Sequence, residues 1–218
     1  MTNLRTGQTL SHSDGSFETA SIVKIDIAAA VFLRAAKADR PLTAAELAAT
    51  TLMIEKSSNA AATRLWRDIG GTDGLNGANH QLGLVRSAAG PSGYWGLTRT
   101  DAVDQMRLLR QVFGLNSVLQ PTAQAAIRAR MEAVDLDQRW GISAAGDDAA
   151  LKNGWMQRSD TQRWNINSIG QISHNGEKYL IAVLTKDNPT KEAGIKAVEA
   201  AAKISVSAIS APECHRSL

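Results

Sequence analysis

The chain has 218 residues, 44% apolar and 21% charged, an ordinary globular balance that can build one large domain or two small lobes. Its formal net charge of +3 is spread along the chain rather than gathered in a basic stripe interleaved with aromatics, so no nucleic-acid partner is expected. No apolar run approaches the length a bilayer requires, and the start MTNLRTGQTL lacks a basic region followed by an apolar stretch, so neither a membrane span nor a signal peptide is read here.

In chain order, residues 4–10 (LRTGQTL) read as the end of a hairpin with Thr6 and Gly7 in the turn, and Asp14-Gly15 marks a second turn. Ile22, Ile25, Ala29 and Phe32 then recur at helical spacing, which places Ser21 in the first turn of a buried helix. Thr43 and Glu46 form a capping box that opens a second helix through Lys56, and a third runs from about Asn59 to Ile69. A short helix is expected over Leu75–Leu82, followed by a Gly- and Ser-rich loop, SAAGPSGYWG. Thr98 or Thr100 is expected to cap the next helix, whose buried face carries Ala102, Met106, Leu109 and Phe113. Pro121 suits the first turn of another helix, to about Ala133. After Gly146 the pattern turns to strands at 150–156, 163–173 and 177–185, the last two joined through Asn175-Gly176, and a helix from Pro189 to about Ile204 follows. The outline is an antiparallel sheet with helices, with a cleft expected between a sheet lobe (1–20 and 146–205) and a helical lobe (21–145).

Three short motifs carry possible chemistry. Ser21-Ile22-Val23-Lys24 is the one Ser-x-x-Lys in the chain; residues three apart share a helix face, so the amine can reach the hydroxyl. A serine at a helix N-terminus also has backbone N–H groups nearby that favour developing negative charge. Ser57-Ser58-Asn59 precedes a helix, where Ser and Asn equally suit a plain N-cap. Lys152-Asn153-Gly154 is the one Lys-x-Gly, at the start of a strand, where a glycine often marks close backbone approach. A further Ser-x-Asn, Ser173-His174-Asn175, falls on the tight hairpin and reads as turn chemistry. The lone Cys214 cannot form an internal disulfide, no Cys/His spacing suggests zinc, and the four dispersed histidines give a Ser-His-Asp triad little support. No metal and no cofactor are expected.

Taken in order, these motifs resemble the signature of class A β-lactamases and penicillin-binding serine hydrolases. The flanks TASIVKIDIAAAVF and MIEKSSNAAA resemble that family's nucleophile helix and its Ser-Asp-Asn segment, and the likeness runs from residue 4 to about 205. LKNGWMQRS and RWNINSIGQI look like the lactamase-like hydrolases of actinobacteria. The resemblance implies an α+β fold in one domain over 1–218: an antiparallel sheet with flanking helices and an all-helical lobe, with the family's leading helix and first strand missing. It implies Ser21 as nucleophile, Lys24 as base, Ser57 as proton relay and Lys152 as a positive field for Ser57 and a substrate carboxylate. Asn59, Asn153, Gly154 and Trp155 would bind substrate, with the N–H groups of Ser21 and Trp155 as oxyanion hole.

Three departures qualify this. Ser58 stands where the family has Asp. Asn153 replaces Thr or Ser, with an amide still able to donate to a carboxylate. The stretch 85–99, VRSAAGPSGYWGLTR, holds no acid where class A β-lactamases place the glutamate that activates the deacylating water, and the next acids are Asp101 and Asp104. The expected function is acyl transfer on β-lactams or peptidoglycan-like amides with slow deacylation, by a monomer. The alternatives are a promiscuous serine esterase and a binding or sensing module without turnover. Without the family's first strand, YLIAVL (179–184) would lie at a sheet edge, so a strand and an export signal are expected upstream of Met1, making the protein extracytoplasmic.

Overall fold

The computed structural model describes residues 1–12, 15–91 and 93–210; the Asp14-Gly15 turn and the Cys214 tail therefore lie wholly or partly outside the described residues. The elements are β1 (Thr2–Asn3), β2 (Phe17–Glu18), α1 (Val23–Lys37), α2 (Ala44–Glu55), α3 (Asn59–Asp68), α4 (Gly71–Gln81) and β3 (Arg99–Thr100). They continue as α5 (Ala102–Phe113), α6 (Pro121–Glu132), β4 (Asp147–Gln157), β5 (Trp164–His174), β6 (Glu177–Asn188) and α7 (Lys191–Ser210).

The main sheet is antiparallel in the order β1-β6-β5-β4, and β2 pairs with β3 in a separate ribbon. The long strands are joined at Asn175-Gly176, whose φ angles of 50° and 77° are the left-handed pair that a two-residue hairpin turn requires. At the opposite edge the chain turns at Thr6-Gly7 and lays Thr2 and Asn3 against Leu180 and Tyr179. That short strand covers only the first part of β6. Helix α7 packs on β5 and β6, and α5 packs across the same strands.

Helix α1 is the centre of the molecule. Val23, Ile25, Ile27, Ala28 and Ala29 are fully buried, as is Ile22 just ahead of them, so the first two turns of the helix are enclosed on every side and only its C-terminal end reaches solvent. Each such aliphatic side chain contributes roughly 1.5–3 kcal/mol by leaving water. The Thr43–Glu46 capping box forms as the sequence predicts. The expected cap of α5 is corrected: Asp101, not Thr98 or Thr100, accepts from Asp104 N at 2.8 Å. Thr98 and Thr100 are instead buried in the ribbon that carries β3. The final helix begins at Lys191 rather than Pro189 and continues to Ser210.

Within this core Asp26 is an exception. It is buried in α1, its Oδ1 has no hydrogen-bond partner among the described residues, and burial followed by the charge of Asp104 holds its carboxyl well above the usual range. Above the ordinary carboxylate pKa the unfolded chain gives up this proton and the folded chain keeps it, so this group subtracts stability as pH rises. Asp26→Asn is therefore expected to raise the melting temperature at about pH 8 by at least ~2 °C, the effect of about 1 kcal/mol in a chain of this size, and to change it little near pH 4. Thermal denaturation followed by circular dichroism at the two pH values checks this.

Candidate active site

The backbone between β2 and α1 makes a tight 3-10 turn over Ala20–Ile22, with Ala20 at φ 47° in the left-handed region. Ser21 sits in this turn, directly ahead of α1. Two elements hold it. Asn167 of β5, fully buried, donates to Glu18 O at 2.9 Å and Thr19 O at 3.1 Å. Strand β4 passes so close that a Cβ on Gly154 would lie 2.7 Å from Thr19 O, 2.8 Å from Ser21 N and 2.9 Å from Ile22 N. No side chain fits there, which is the close approach that the strand glycine signals. Because β4 is the edge strand, alternate N–H groups of its backbone face away from β5.

The three motifs meet at Ser57 Oγ. Lys24 Nζ and Lys152 Nζ each donate to it at 3.0 Å. Lys24 also donates to Ser57 O at 2.7 Å and to Asn59 Oδ1 at 2.9 Å, which occupies all three N–H groups of its ammonium. The direct Lys24–Ser21 hydrogen bond that helix spacing allows is absent, because this lysine bends toward the loop ahead of α3. Ser57 itself is held at φ 51°, a strained position for a serine. The N-cap role belongs to its neighbour, Ser58, whose Oγ accepts from Ala61 N at 3.2 Å. The N-cap reading of this motif is thus realised by Ser58, and Ser57 is left to the two lysines.

Both lysines are fully buried. Loss of hydration pulls the Lys24 pKa down to about 7. Lys152 also falls to about 7, through burial first and the charge of Lys24 second. A neutral amine is thus accessible near neutral pH, which an exposed lysine never offers. Ser57 Oγ accepts from both amines, so its own proton is free to point elsewhere.

Other features were invisible in the sequence. Trp95 comes from the acid-free loop, places its ring 5.1 Å from Lys24 Nζ and is pinned by Nε1 donating to Thr63 Oγ1 at 3.1 Å. Asn165 and Asn167, which brace Glu18 and the backbone leading into the Ser21 turn, show only as polar residues recurring every second position in an apolar strand. Asp101 and Asp104 are taken by local structure: they receive Arg86, Ser87 and Arg107 donors and bond to none of the Ser21, Lys24 or Ser57 groups.

Asn153 departs from its expected role. Its Nδ2 donates to Gln138 O at 2.7 Å and Trp140 O at 2.9 Å, so both amide hydrogens are consumed by the wall of the site and none is left for a substrate carboxylate. Trp155, next along β4, stacks at a tilt against Trp140, with centroids 5.9 Å apart. Among the described residues no group of three or more His, Cys, Asp or Glu could hold a metal ion, and no helix is long and apolar enough to cross a membrane.

A buried lysine pair around a serine, with a second serine on the turn before a buried helix beside an edge strand, is the arrangement of a serine hydrolase of the β-lactamase and penicillin-binding class. The family model described as the β-lactamase enzyme family matches residues 38–209, and the chain belongs to that family. The proteins named lipoprotein LppW of Mycobacterium bovis and Mycobacterium tuberculosis are 30% identical over 203 residues, covering 88% of this chain and 63% of theirs. The chain thus spans less than two thirds of the length of these relatives. Among solved structures, the TLA-3 extended-spectrum β-lactamase superposes with a TM-score of 0.83 at 16% identity, covering 95% of this chain and 90% of the other. A PBP-A variant solved as an acyl-enzyme with penicillin G gives 0.80 at 20% identity, with 95% and 88% covered. A β-lactamase from Streptosporangium roseum gives 0.77 at 20%, with 95% and 90% covered. These likenesses establish the fold.

Substituting Gly154 by Ala forces β4 and the Ser21 turn apart. A displacement of about 1 Å at a reacting centre costs on the order of 10²-fold in rate. Gly154→Ala is expected to lower the rate of Ser21 acylation by at least that factor while the protein still unfolds cooperatively, as a labelled penicillin and a melting curve will show.

Proposed function

We propose that the protein is a serine acyl-transfer hydrolase acting on β-lactams or peptidoglycan-like amides through an acyl-Ser21 intermediate that deacylates slowly. The observation that carries this reading is the convergence of Lys24 and Lys152 on Ser57 Oγ, each at 3.0 Å, with both pKa values brought down to about 7. A binding module has no physical need for two desolvated amines; a proton-transfer site does.

In this reading neutral Lys24 takes the Ser21 proton as Oγ attacks the carbonyl carbon. Negative charge on the carbonyl oxygen is received by the backbone N–H groups of Ser21 and Trp155. Ser57 passes its proton to the departing amide nitrogen and is reprotonated from the lysine pair, with the Lys152 charge stabilising the intervening alkoxide character. Asn59, whose Oδ1 is fixed by Lys24, keeps its Nδ2 for the substrate's amide carbonyl. Slow deacylation rests on the loop over Lys24: it offers an indole, Trp95, and no carboxylate to activate water.

Incubation with benzylpenicillin followed by intact-protein mass spectrometry tests this. The expected result is an adduct of one penicillin that survives removal of free drug and is absent in Ser21→Ala. Folded protein that yields neither adduct nor hydrolysed penicillin would leave the binding-module reading in its place. Rapid turnover without accumulation would overturn slow deacylation while keeping Ser21.

The pH dependence has a definite sign. Lys24 must be neutral to act as base, so acylation is expected to slow below the pKa of about 7 and to level off above it. Replacing Lys24 by Arg, which cannot lose its proton, should reduce acylation by at least ~10²-fold across this range. Stopped-flow acylation rates from about pH 5.5 to 9 give the profile.

A further inference from the structure

In the acyl-transfer reading, negative charge on the carbonyl oxygen is received by two backbone N–H groups, on Ser21 and Trp155. These belong to segments that do not pair with each other. Strand β4 pairs with β5, and β2, which leads into the Ser21 turn, pairs with β3. Among the described residues no backbone hydrogen bond joins β4 to residues 17–22. The backbone contact at Gly154 limits how closely the two approach, but such contact attracts only weakly once they part.

One polar link spans this gap. Arg158, directly after β4, donates Nη1–H to Glu18 Oε1, and among the described residues no other side chain of 147–158 bonds to residues 17–22. Glu18 stands three residues ahead of Ser21 and Arg158 three residues past Trp155, so this ion pair joins the two backbones that carry the N–H groups. Asp160 receives Arg158 Nε at 3.0 Å and Nη2 at 2.8 Å, which fixes the direction of the guanidinium and leaves Nη1 to Glu18.

The surroundings of Glu18 are shaped by its charge. It is buried, and Asn165 Nδ2 donates to its second oxygen at 2.9 Å. With the amide turned this way, the buried Asn165 Oδ1 has no hydrogen-bond partner among the described residues. Turning the amide over would set its oxygen against the carboxylate. The bond to Glu18 therefore outweighs an acceptor left unsatisfied. Asn167 holds the carbonyls of Glu18 and Thr19, so three side chains fix this short stretch ahead of Ser21.

We propose that Glu18 is a positioning residue: its ion pair with Arg158 sets the spacing of the Ser21 and Trp155 N–H groups, and thereby the rate of Ser21 acylation rather than the affinity for the acyl donor. This rests on the acyl-transfer reading. Glu18→Gln and Arg158→Gln remove the ionic attraction, the first with no change of side-chain size, the second at a residue that reaches the surface, and Arg158→Lys keeps a cation. Stopped-flow measurement over a series of penicillin concentrations separates the acylation rate from the dissociation constant of the non-covalent complex. Each Gln variant is expected to lower acylation at least ~10-fold, short of the ~10²–10³-fold that follows removal of a whole oxyanion donor, and to change the dissociation constant less than ~2-fold. The double variant falls no further than either single one, because the pair acts as a unit, and Arg158→Lys keeps most of the rate. In infrared difference spectra the acyl carbonyl stretch moves to higher wavenumber in both Gln variants, since looser N–H donors polarise the C=O less.

A second readout needs no acylation. In the unliganded protein, Arg158→Gln is expected to move the amide resonance of Ser21, and Glu18→Gln that of Trp155, each across the gap between the two segments. Resonances that stay in place would overturn the proposal, as would a loss confined to the dissociation constant. A slower rate with an unmoved carbonyl stretch would overturn it too, by showing that Glu18 serves only stability. Moved resonances in a protein that forms no penicillin adduct would uphold the spacing role and discard acyl transfer.

Discussion

Two buried lysine amines share the hydroxyl of one half-buried serine, and the remainder of the site is arranged around the electrostatic cost of that arrangement. Burying an ammonium costs several kcal/mol unless nearby dipoles replace its lost hydration. Lys24 recovers part of this from the Ser57 carbonyl, Asn59 and the face of Trp95, and Lys152 from Ser57 and the Asn153 carbonyl. The recovery is incomplete, and the deficit is what brings both pKa values to about 7. A fully compensated pair would remain protonated and chemically inert. The incompleteness is therefore what leaves a neutral amine available near neutral pH.

Holding such a pair in place demands backbone that does not relax. Ala20, just ahead of Ser21, and Ser57 itself lie in the left-handed region at φ 47° and 51°, and each non-glycine residue there costs about 1–3 kcal/mol. The enclosed aliphatic face of α1 and the asparagine brackets from β5 supply the surrounding order that sustains this strain. Asp26, buried one turn into the same helix with its carboxyl pKa held well above the usual range, is a further destabilising group tolerated by the same core.

The wall along β4 divides its labour by residue. Gly154 contributes only the absence of a side chain, which lets the strand meet the Ser21 turn. Asn153 looks like a substrate ligand by its place in the motif, yet it ties β4 to the 138–140 turn and so positions Trp140 against Trp155. Replacing a short hydroxyl residue by an amide has thus moved this position from the cleft into the frame.

Much of this was legible in the chain. Helical spacing around Ser21, the Thr43–Glu46 capping box, Pro121 at a helix start and the Asn175-Gly176 turn each act through contacts within a few residues, so the sequence alone determines them. The order of the motifs likewise established the family, because it depends only on succession along the chain. What spacing could not decide was where side chains turn once distant segments meet. Lys24 is near Ser21 in sequence but bonds to Ser57 across the fold. Asn153 is claimed by carbonyls 13 and 15 residues away in the chain, and Trp95 comes to Lys24 from a loop with no motif of its own. Those choices are made by competition among hydrogen-bond partners inside a closed interior, which exists only when the whole chain has folded.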